Sequence, residues 1–337
     1  MMYYRPIAMT DAARPEGALS LAGGWCWFDR VEVFERGRSP VLMSAADLPA
    51  AAREALSAPR ADFAGLTMDR PRLMGILNVT PDSFSDGGLF LDPAAALTQG
   101  RLMAGAGADI LDIGGESTRP GAVEVAAADE VARTAPVIAA LRQGGIAARI
   151  SIDTRKAAVA AAALAAGADI VNDVSAFGYD ARLAGVVAAA GAPVCLMHAQ
   201  GTPQDMQDDP YYDDVLLDVY DFLAERVQAA VAAGIARSRI MVDPGIGFGK
   251  TLAHNLTLIR GLSLFHGLGC PVLLGVSRKK FIGTIGGEAQ ADRRAPGSVA
   301  VALAGVAQGA QVLRVHDVWE TRQAMALWRS VNLGEGV

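Results

Sequence analysis

The chain has 337 residues, of which 52% are hydrophobic and 20% are charged, and its formal net charge is −6. This length accommodates one large domain, or one domain with a small appendage, and the apolar content suffices for a sizeable core. The acidic balance and the lack of a long basic stretch argue against a nucleic-acid partner. No apolar run approaches the ~18 residues of a membrane span without Gly, Pro or charge, so no membrane partner is expected.

Cysteine usage and the amino-terminal sequence indicate a reducing compartment. The three cysteines, Cys26, Cys195 and Cys270, are far apart and lack metal-ligand spacing, so we expect buried free thiols. The opening MMYYRPIAMTDAARPEG lacks the basic-then-apolar pattern of a signal peptide. We therefore expect a soluble, cytoplasmic protein.

Residues 1–70 differ from the rest of the chain and are predicted to form a small N-terminal extension. Residues 18–22 and 25–35 flank the turn-forming pair Gly23-Gly24, and WCWFDRVEVFER alternates in the period-two manner of a β-hairpin. Residues 47–58 favour a short helix. We find no chemical constellation here, so the expected task of the extension is packing against the main domain or a second subunit.

From residue 71 onward, a helix pattern followed by a strand pattern recurs. Gly-Ala pairs that begin at positions 107, 167, 191 and 309 lead into apolar runs, and a glycine just past a helix end takes the left-handed conformation that closes the helix. The predicted strands are 73–79, 108–114, 149–153, 170–174, 193–198, 239–243, 271–277 and 312–317. Eight βα units over roughly 260 residues match an α/β fold of the (β/α)8 TIM-barrel type, over residues 71–333. A doubly wound open sheet is the alternative, and it usually has fewer strands.

The carboxyl ends of barrel strands share one face, which is where barrel enzymes keep their chemistry. Groups able to bind or titrate follow all eight predicted strands. They are Asn78, residues 116–121, residues 153–155, Asn172, Asp173, His198, Asp243, residues 277–280, Arg314, His316 and Asp317. Each has a structural explanation when taken singly, such as capping the next helix, but their recurrence at every strand predicts a binding site.

The charges of these groups also suggest a type of ligand. Acceptors and an amide follow strands three, four and six, whereas cationic groups belong to strands seven and eight, where barrels frequently bind phosphate. The first set is Asp153, Asn172 and Asp243; the second is Lys279, Arg314 and His316. Carboxylates accept hydrogen bonds from ring N–H groups, and Lys and Arg bind phosphate oxygens. We expect a flat, donor-bearing heterocycle that carries a phosphate or pyrophosphate.

The sequence GIGFGKT at 245–251 imitates a phosphate-binding loop. Three residues separate Gly245 from Gly249-Lys250-Thr251, whereas the motif requires four. We expect its glycines instead to let the backbone lie close to a ligand bound at Asp243.

Over about residues 71–333, these motifs resemble the dihydropteroate synthases, a family of pterin-binding enzymes. The matching stretches are GILNVTPDSFSDGG, DIGGESTRPG, SIDTRKAAV, NDVSA, LMHAQGTPQDMQ, DPGIGFGK, GVSRKKFIG and LRVHDV, in that order. The resemblance implies a transferase of folate biosynthesis. It would condense 6-hydroxymethyl-7,8-dihydropterin pyrophosphate with p-aminobenzoate to 7,8-dihydropteroate and pyrophosphate. It further implies Mg²⁺ as cofactor, a homodimer and a target for sulfonamides.

The resemblance also assigns residues to three subsites. The pterin pocket falls on Asp153, Asn172, Asp243 and Lys279. The pyrophosphate site falls on Asn78, Arg119, Arg314 and His316, with Asn78 as the metal ligand. The p-aminobenzoate site and its loops fall on Phe84, Thr118, Arg119 and Pro120, together with the stem of Lys279. The catalytic group implied is Asn78, Lys279, Arg314 and His316.

The chain departs from the family pattern in places. Residues 177–182 have no counterpart that we can match, and Ala199 and Lys280 stand where family members often carry Met and Ser. Two rival interpretations stay open at this point. One is a methyltetrahydrofolate:corrinoid methyltransferase, which shares the Asp/Asn pterin grip but needs neither the ESTRPG loop nor a pyrophosphate site. The other is a non-catalytic paralogue that binds pterin without turnover.

Overall fold

The structure, a computed structural model, describes residues 1–80, 93–117, 121–202 and 204–334. Its largest sheet contains eight parallel strands. They are β6 Arg72–Asn78, β7 Ile110–Gly114, β8 Arg149–Asp153, β9 Ile170–Asp173, β10 Val194–Met197, β11 Ile240–Asp243, β12 Leu273–Leu274 and β13 Val312–Val315. The helices that surround them are α2 Pro93–Ala106, α3 Ala127–Gln143, α4 Ala157–Ala166, α5 Leu183–Ala190, α6 Val215–Ala232, α7 Leu252–Arg260, α8 Lys280–Gly286, α9 Ala295–Val306 and α10 Val318–Leu333.

The eight strands close into a barrel. Their order around the sheet is β11-β10-β9-β8-β7-β6-β13-β12. A parallel bridge between Val242 and Val272 joins the two outermost strands, and Val242 donates its N–H to Pro271 O at 3.0 Å. The predicted (β/α)8 barrel is confirmed, and the doubly wound alternative fails because no open edge is left between β11 and β12.

The Gly-Ala turns do what the repeat predicts. Gly107, Gly167, Gly191 and Gly309 have φ values of +102°, +111°, +60° and +83°. Residues with a Cβ rarely adopt these angles, so glycine at these positions ends the helix and directs the chain into the next strand.

The predicted strand at 271–277 is the one whose extent differs most, since only Leu273–Leu274 forms β12. Pro271 has no N–H to donate to a ladder. At the other end, Gly275 lines the cavity described below, and Ser277 Oγ accepts the backbone N–H of His316 at 3.1 Å. The strand shortens because its carboxyl end is committed to the site.

The extension forms a small antiparallel structure of its own. The predicted hairpin is present as β2 Leu19–Ser20 paired with β3 Trp27–Phe28 around Gly23-Gly24. The alternating stretch forms β4 Arg30–Glu35, which pairs with β1 Met2–Pro6 on one side and β5 Val41–Ser44 on the other. Helix α1 spans Ala50–Ser57.

The extension packs along the side of the barrel. Tyr3 donates its hydroxyl to Asp221 on α6 at 2.9 Å, and Arg36 pairs with the same carboxylate at 2.7 Å. Trp25 donates its indole N–H to Val306 O at the end of α9, at 2.8 Å. These contacts fit the expected packing task.

Residues 63–68 fill the amino end of the barrel. Phe63 and Leu66 exchange two backbone hydrogen bonds of 2.9 Å, and Phe63 and Met68 are buried. They pack with one interior layer, made of Met74, Ile110, Ile170, Cys195, Met241, Leu273 and Val312. The barrel therefore has an apolar floor, and its polar groups are at the opposite end.

One expectation from composition is confirmed, since all three cysteines are buried free thiols. None of the described helices is long and apolar enough to cross a membrane.

Candidate active site

Residues from the strand ends line a narrow cavity at the carboxyl end of the barrel. Five of the predicted site residues meet here, contributed by β8, β9, β11, β13 and the segment after β12. The lining comprises Asp153, Asn172, Val174, Met197, Asp243, Phe248, Gly275, Lys279 and Arg314. The structure thus brings together the four residues assigned to the pterin pocket.

Arg314 crosses the mouth of the barrel and joins two carboxylates. Its Nε donates to Asp112 Oδ2 and its Nη2 to Asp153 Oδ2, each at 2.6 Å. Asn172 donates its side-chain N–H to the same Asp112 oxygen at 3.1 Å. The predicted separation of acceptors and cations onto two sides is therefore wrong, because the long Arg314 side chain reaches from β13 to β7 and β8.

Asp112 is a site residue that the sequence analysis missed. It lies in the middle of β7 and is fully buried, and its Oδ1 has no hydrogen-bond partner among the described residues. Asp112 lies inside its strand, whereas the candidates named from the sequence lie at or after strand ends. A lone carboxylate in an apolar strand was the available signal, since a buried charge requires a partner.

Burial and shared charge shift the pKa values of this cluster. Burial raises the pKa of Asp153 to about 7; Arg314 opposes this shift, and the neighbouring charge of Asp112 adds to it. Burial alone would lower the pKa of Arg314, but the attraction of Asp112 and Asp153 raises it. Arg314 therefore stays charged while Asp153 is poised to titrate near neutral pH.

Asp243 and Lys279 form the second charged part of the cavity. Gly245 donates its N–H to Asp243 Oδ1 at 2.7 Å. Lys279 Nζ donates to the carbonyl of Ile246 and lies 4.7 Å from the ring centroid of Phe248. Burial lowers the pKa of Lys279 to about 8, with Asp243 acting in the opposite direction. Burial also raises the pKa of Asp243, against the effect of Lys279.

The glycine-rich loop after β11 has a steric reason for its sequence. Gly245 has φ +68°, and a Cβ there would lie 1.8 Å from His198 O. This close approach is to the backbone after β10, and it aims the Gly245 N–H at Asp243.

His198 and Lys250 support that loop and do not line the cavity. Lys250 Nζ lies 2.8 Å from His198 Nδ1 and donates to Phe248 O at 2.9 Å. Burial lowers the pKa of His198 to about 2, and the nearby Lys250 adds to the shift, so this imidazole is neutral.

Asn78 and His316 lie beside the cavity. Between Asn78 and Asp153 lies Gly114, where a Cβ would be 3.3 Å from Asn78 Oδ1 and 3.9 Å from Asp153 Oδ2. His316 Nδ1 is 3.0 Å from Ser277 Oγ. Asn78 is the last residue of β6 and His316 directly follows β13, its neighbour in the barrel, so both border the site.

The remaining predicted groups divide into two sets. Phe84, Thr118, Arg119 and Pro120 lie outside the described residues. Several others are committed to structural contacts: Asp317 pairs with Arg278, Asp173 accepts hydrogen bonds from the following turn, and Glu116 pairs with Arg155.

The arrangement suits a planar ligand with N–H donors. Asp153, Asn172 and Asp243 present acceptors from β8, β9 and β11, while Lys279 and Arg314 supply positive charge within the same cavity. Asp112, with one oxygen that has no hydrogen-bond partner in the described part of the chain, lies behind Arg314.

The fold and this site define a class of protein. The sequence model of the family described as "Pterin binding enzyme" matches residues 74–316, which is most of the barrel. The chain belongs to the pterin-binding enzyme family.

Its relatives specify the branch of that family. A dihydropteroate synthase of Neisseria meningitidis serogroup C is 48% identical over 269 residues, which are 79% of this chain and 94% of the relative. The Xanthomonas albilineans dihydropteroate synthase has been solved with 4-aminobenzoic acid (TM-score 0.76, 48% identity) and with 7,8-dihydropteroate (TM-score 0.73, 45% identity). Each match covers 81% of this chain and 98% of the other. The Yersinia pestis dihydropteroate synthase, in complex with a sulfonamide drug, has 46% identity and TM-score 0.75, covering 79% and 96%. Within its family, the chain therefore groups with the dihydropteroate synthases.

Proposed function

We infer that the chain joins 6-hydroxymethyl-7,8-dihydropterin pyrophosphate to p-aminobenzoate, giving 7,8-dihydropteroate and pyrophosphate. The observation that carries this function is the convergence of Asp153, Asn172, Asp243, Lys279 and Arg314 on one cavity, within a barrel of this family. These are the acceptors and cations that a pterin with a charged leaving group requires.

The residues divide the work of binding. Asp153, Asn172 and Asp243 hold the N–H edge of the pterin, and the Lys279 ammonium neutralises the buried Asp243 beside it. The same Lys279 stem, with Phe84, Thr118 and Pro120, flanks p-aminobenzoate. Support for the pterin part comes from burial, because a ligand that satisfies these acceptors relieves the cost of enclosing them.

The chemistry requires leaving-group departure and little base. The C–O bond to pyrophosphate breaks, the p-aminobenzoate nitrogen forms a bond to the same carbon, and that nitrogen loses a proton. The electron-rich dihydropterin stabilises positive charge at the carbon, and Arg314, His316 and Arg119 hold the departing anion. Because an arylamine is neutral at pH 7, no Ser/His/Asp or Cys/His nucleophile set is needed.

The residues present fit Mg²⁺ that arrives with the substrate. Mg²⁺ is usually bound through one or two protein oxygens together with substrate phosphates and water. Among the described residues, no group of three His, Cys, Asp or Glu side chains is placed to hold a metal by itself. Asn78 offers an amide oxygen beside Asp153, and the bound ion would add charge neutralisation of the pyrophosphate.

We further propose a homodimer in the cytoplasm. Trp319 and Leu327 on α10 are 58% and 63% exposed, which supports α10 as an interface. Helix α9 is less available as an interface, because Trp25 of the extension covers its end. Unpaired buried thiols support the reducing compartment.

The decisive experiment measures pyrophosphate release from the pterin pyrophosphate with Mg²⁺, with and without p-aminobenzoate. Release that yields dihydropteroate, depends on p-aminobenzoate and is blocked by a sulfonamide supports the synthase. Tight pterin binding without product indicates the silent paralogue, and absence of pterin binding contradicts the site.

A further inference from the structure

Residues 177–182, which have no counterpart in the family motifs, lie in the segment after β9. This segment follows Asn172 and Asp173, the last two residues of β9, and it contains a strained turn. Asn172 lines the cavity. Ala176 and Phe177 have φ values of +48° and +66°, although neither is glycine. Two consecutive non-glycine residues with positive φ raise the free energy of the folded state. Such strain persists only where the surrounding structure holds the backbone in place, often at functional sites.

Asp173 holds that turn. Its Oδ1 accepts from the Ser175 N–H at 2.8 Å and from the Ser175 hydroxyl at 2.7 Å. Its Oδ2 accepts from the Phe177 N–H at 2.6 Å. The Asp173 carboxylate is fully buried, so these three hydrogen bonds are shielded from water.

The turn places Tyr179 against the segment between β7 and α3. The Tyr179 hydroxyl donates to Glu124, and the guanidinium carbon of Arg155 lies 4.0 Å from the centroid of the Tyr179 ring. Tyr179 itself is 42% exposed, so it does not serve the apolar core. Its contacts are the pattern expected of a cation–π stack with an additional polar anchor.

Arg155 also contacts the opposite end of the same segment, at Glu116. Its Nε and Nη2 lie 3.2 and 3.3 Å from the two Glu116 oxygens. Glu116 Oε1 accepts the Val125 N–H at 2.8 Å, and Lys156 Nζ donates to Val125 O at 2.6 Å. The two described ends of the segment are therefore fastened to each other and to β8.

We propose that Tyr179 and Arg155 are positioning residues that fix both described ends of the β7–α3 segment and thereby set the affinity for p-aminobenzoate. We call the contacts of Tyr179 and Arg155 with the two described ends the clamp. The link to p-aminobenzoate rests on the proposed function, in which Thr118, Arg119 and Pro120 of this segment contact that substrate. Neither Tyr179 nor Arg155 lines the cavity, so the clamp acts on one substrate and leaves pterin binding alone.

The test compares Tyr179→Ala and Tyr179→Phe with Tyr4→Phe in the full-length protein. Tyr179→Ala removes the stack and the anchor, so the KM for p-aminobenzoate rises about tenfold. Tyr179→Phe keeps the stack, and its KM rises about threefold because one hydrogen bond to a charged group is lost. In both variants, kcat and the pterin pyrophosphate Kd stay within about twofold of the parent, since no cavity-lining group changes. Tyr4→Phe removes a hydroxyl that donates to Met2 Sδ on the exposed side of the extension, and it leaves every value unchanged.

A second readout does not depend on turnover. Amide hydrogen exchange at Val125 becomes faster in Tyr179→Ala and stays at the parent rate in Tyr4→Phe. A parent that binds no pterin and makes no product defeats the proposed function, and the clamp is then judged by this exchange alone. An unchanged p-aminobenzoate KM, an unchanged Val125 exchange rate, or an equal loss of pterin and p-aminobenzoate binding overturns the clamp.

Discussion

Asp243 has one carboxylate oxygen committed to the protein and one beside the cavity wall. Oδ1 accepts the Gly245 N–H at 2.7 Å, and a Cβ at Gly275 would lie 3.7 Å from Oδ2. Asp243→Asn replaces one acceptor with a donor, which then faces either Gly245 N–H or the N–H edge of the pterin. Because either arrangement leaves buried donors unpaired, we expect the pterin Kd to rise about 100-fold.

Calorimetric titration with the pterin pyrophosphate measures this change. Asp62→Asn, an exposed aspartate before the barrel, is the matched control and should bind like the parent. Affinity retained in Asp243→Asn would remove Asp243 from the pterin pocket.

Lys279 should make catalysis pH-dependent on the alkaline side. Burial lowers the pKa of Lys279 to about 8; Asp243 raises this pKa and Arg314 lowers it further. Lys250 is another basic group nearby, and burial lowers its pKa well below the usual value. The ammonium is present below pH 8 and is lost as the pH rises through this value. We therefore expect kcat/KM to fall above about pH 8.

The variant Lys279→Arg identifies the group. A guanidinium keeps its proton throughout this range, so the alkaline decline should vanish even where the absolute rate is lower. Profiles of kcat/KM between about pH 6 and pH 10, measured for the parent and the variant, show whether Lys279 is the titrating group. If kcat/KM of Lys279→Arg declines with pH in parallel with that of the parent, another group is titrating.

At the residue scale, the sequence identified the cavity-lining side chains better than their partners. Asp153, Asn172, Asp243 and Arg314 were found because each lies at or near a strand end. The pairing of Arg314 with Asp112 was not predicted, since it joins residues 202 positions apart. Nothing local in the sequence sets that distance; it follows from closure of the barrel.

At the element scale, the loop after β11 positions Asp243 through Gly245. Gly245→Ala adds a Cβ to a residue with φ +68°, at 1.8 Å from His198 O, so the loop must move away from β10. We expect a loss of about 1–3 kcal/mol from strain and a loss of pterin binding as the Gly245 N–H leaves Asp243. Chemical denaturation and calorimetry measure the two effects.

Gly37→Ala provides the matched control for this substitution. Gly37 has φ +75°, but a Cβ there meets no atom within 4 Å. It therefore carries the conformational cost without the collision, and its pterin Kd should equal that of the parent. Equal destabilisation in both variants, with pterin binding intact in both, would show that the His198 contact is unimportant.

The strands were predictable because the barrel repeats one signal eight times. An apolar run and a polar end recur in each unit, and a left-handed glycine precedes the strand at Gly107, Gly167, Gly191 and Gly309. An error in one unit therefore does not alter the fold. Strand β12 was overestimated since residues 275–277 are as apolar and small as strand residues but turn into the site. Tyr179 was not predictable, because a strained turn held by Asp173 decides where it points.

At the scale of the whole molecule, the barrel has an active face and a structural floor. Phe63 and Met68 pack under the interior layer of the strands, whereas the contacts of residues 1–60 lie along α6, the 3₁₀ segment Leu262–Leu268 and α9. Packing of the extension was expected from the sequence, but its partners could not be named, because Trp25 and Arg36 contact residues more than 180 positions away in the chain.

Two truncations separate these parts of the molecule. Removing residues 1–60 strips the extension but keeps Phe63 and Met68, so kcat and both KM values should persist. The thermal midpoint should fall by about 5 °C or more, since the lost contacts with α6 and α9 contribute to stability. Removing residues 1–70 also opens the barrel floor; losing one buried aromatic costs about 3–5 kcal/mol, so this variant should not yield a cooperatively folded enzyme.

Calorimetric melting, steady-state kinetics and sedimentation of the two truncations distinguish the roles left open for the extension. A changed KM in the 1–60 truncation would assign the extension to the site, and a changed sedimentation coefficient beyond the lost mass would assign it to a subunit interface. Cooperative melting and full turnover after removal of residues 1–70 would contradict the floor, because Phe63 and Met68 would then be dispensable to the barrel they fill.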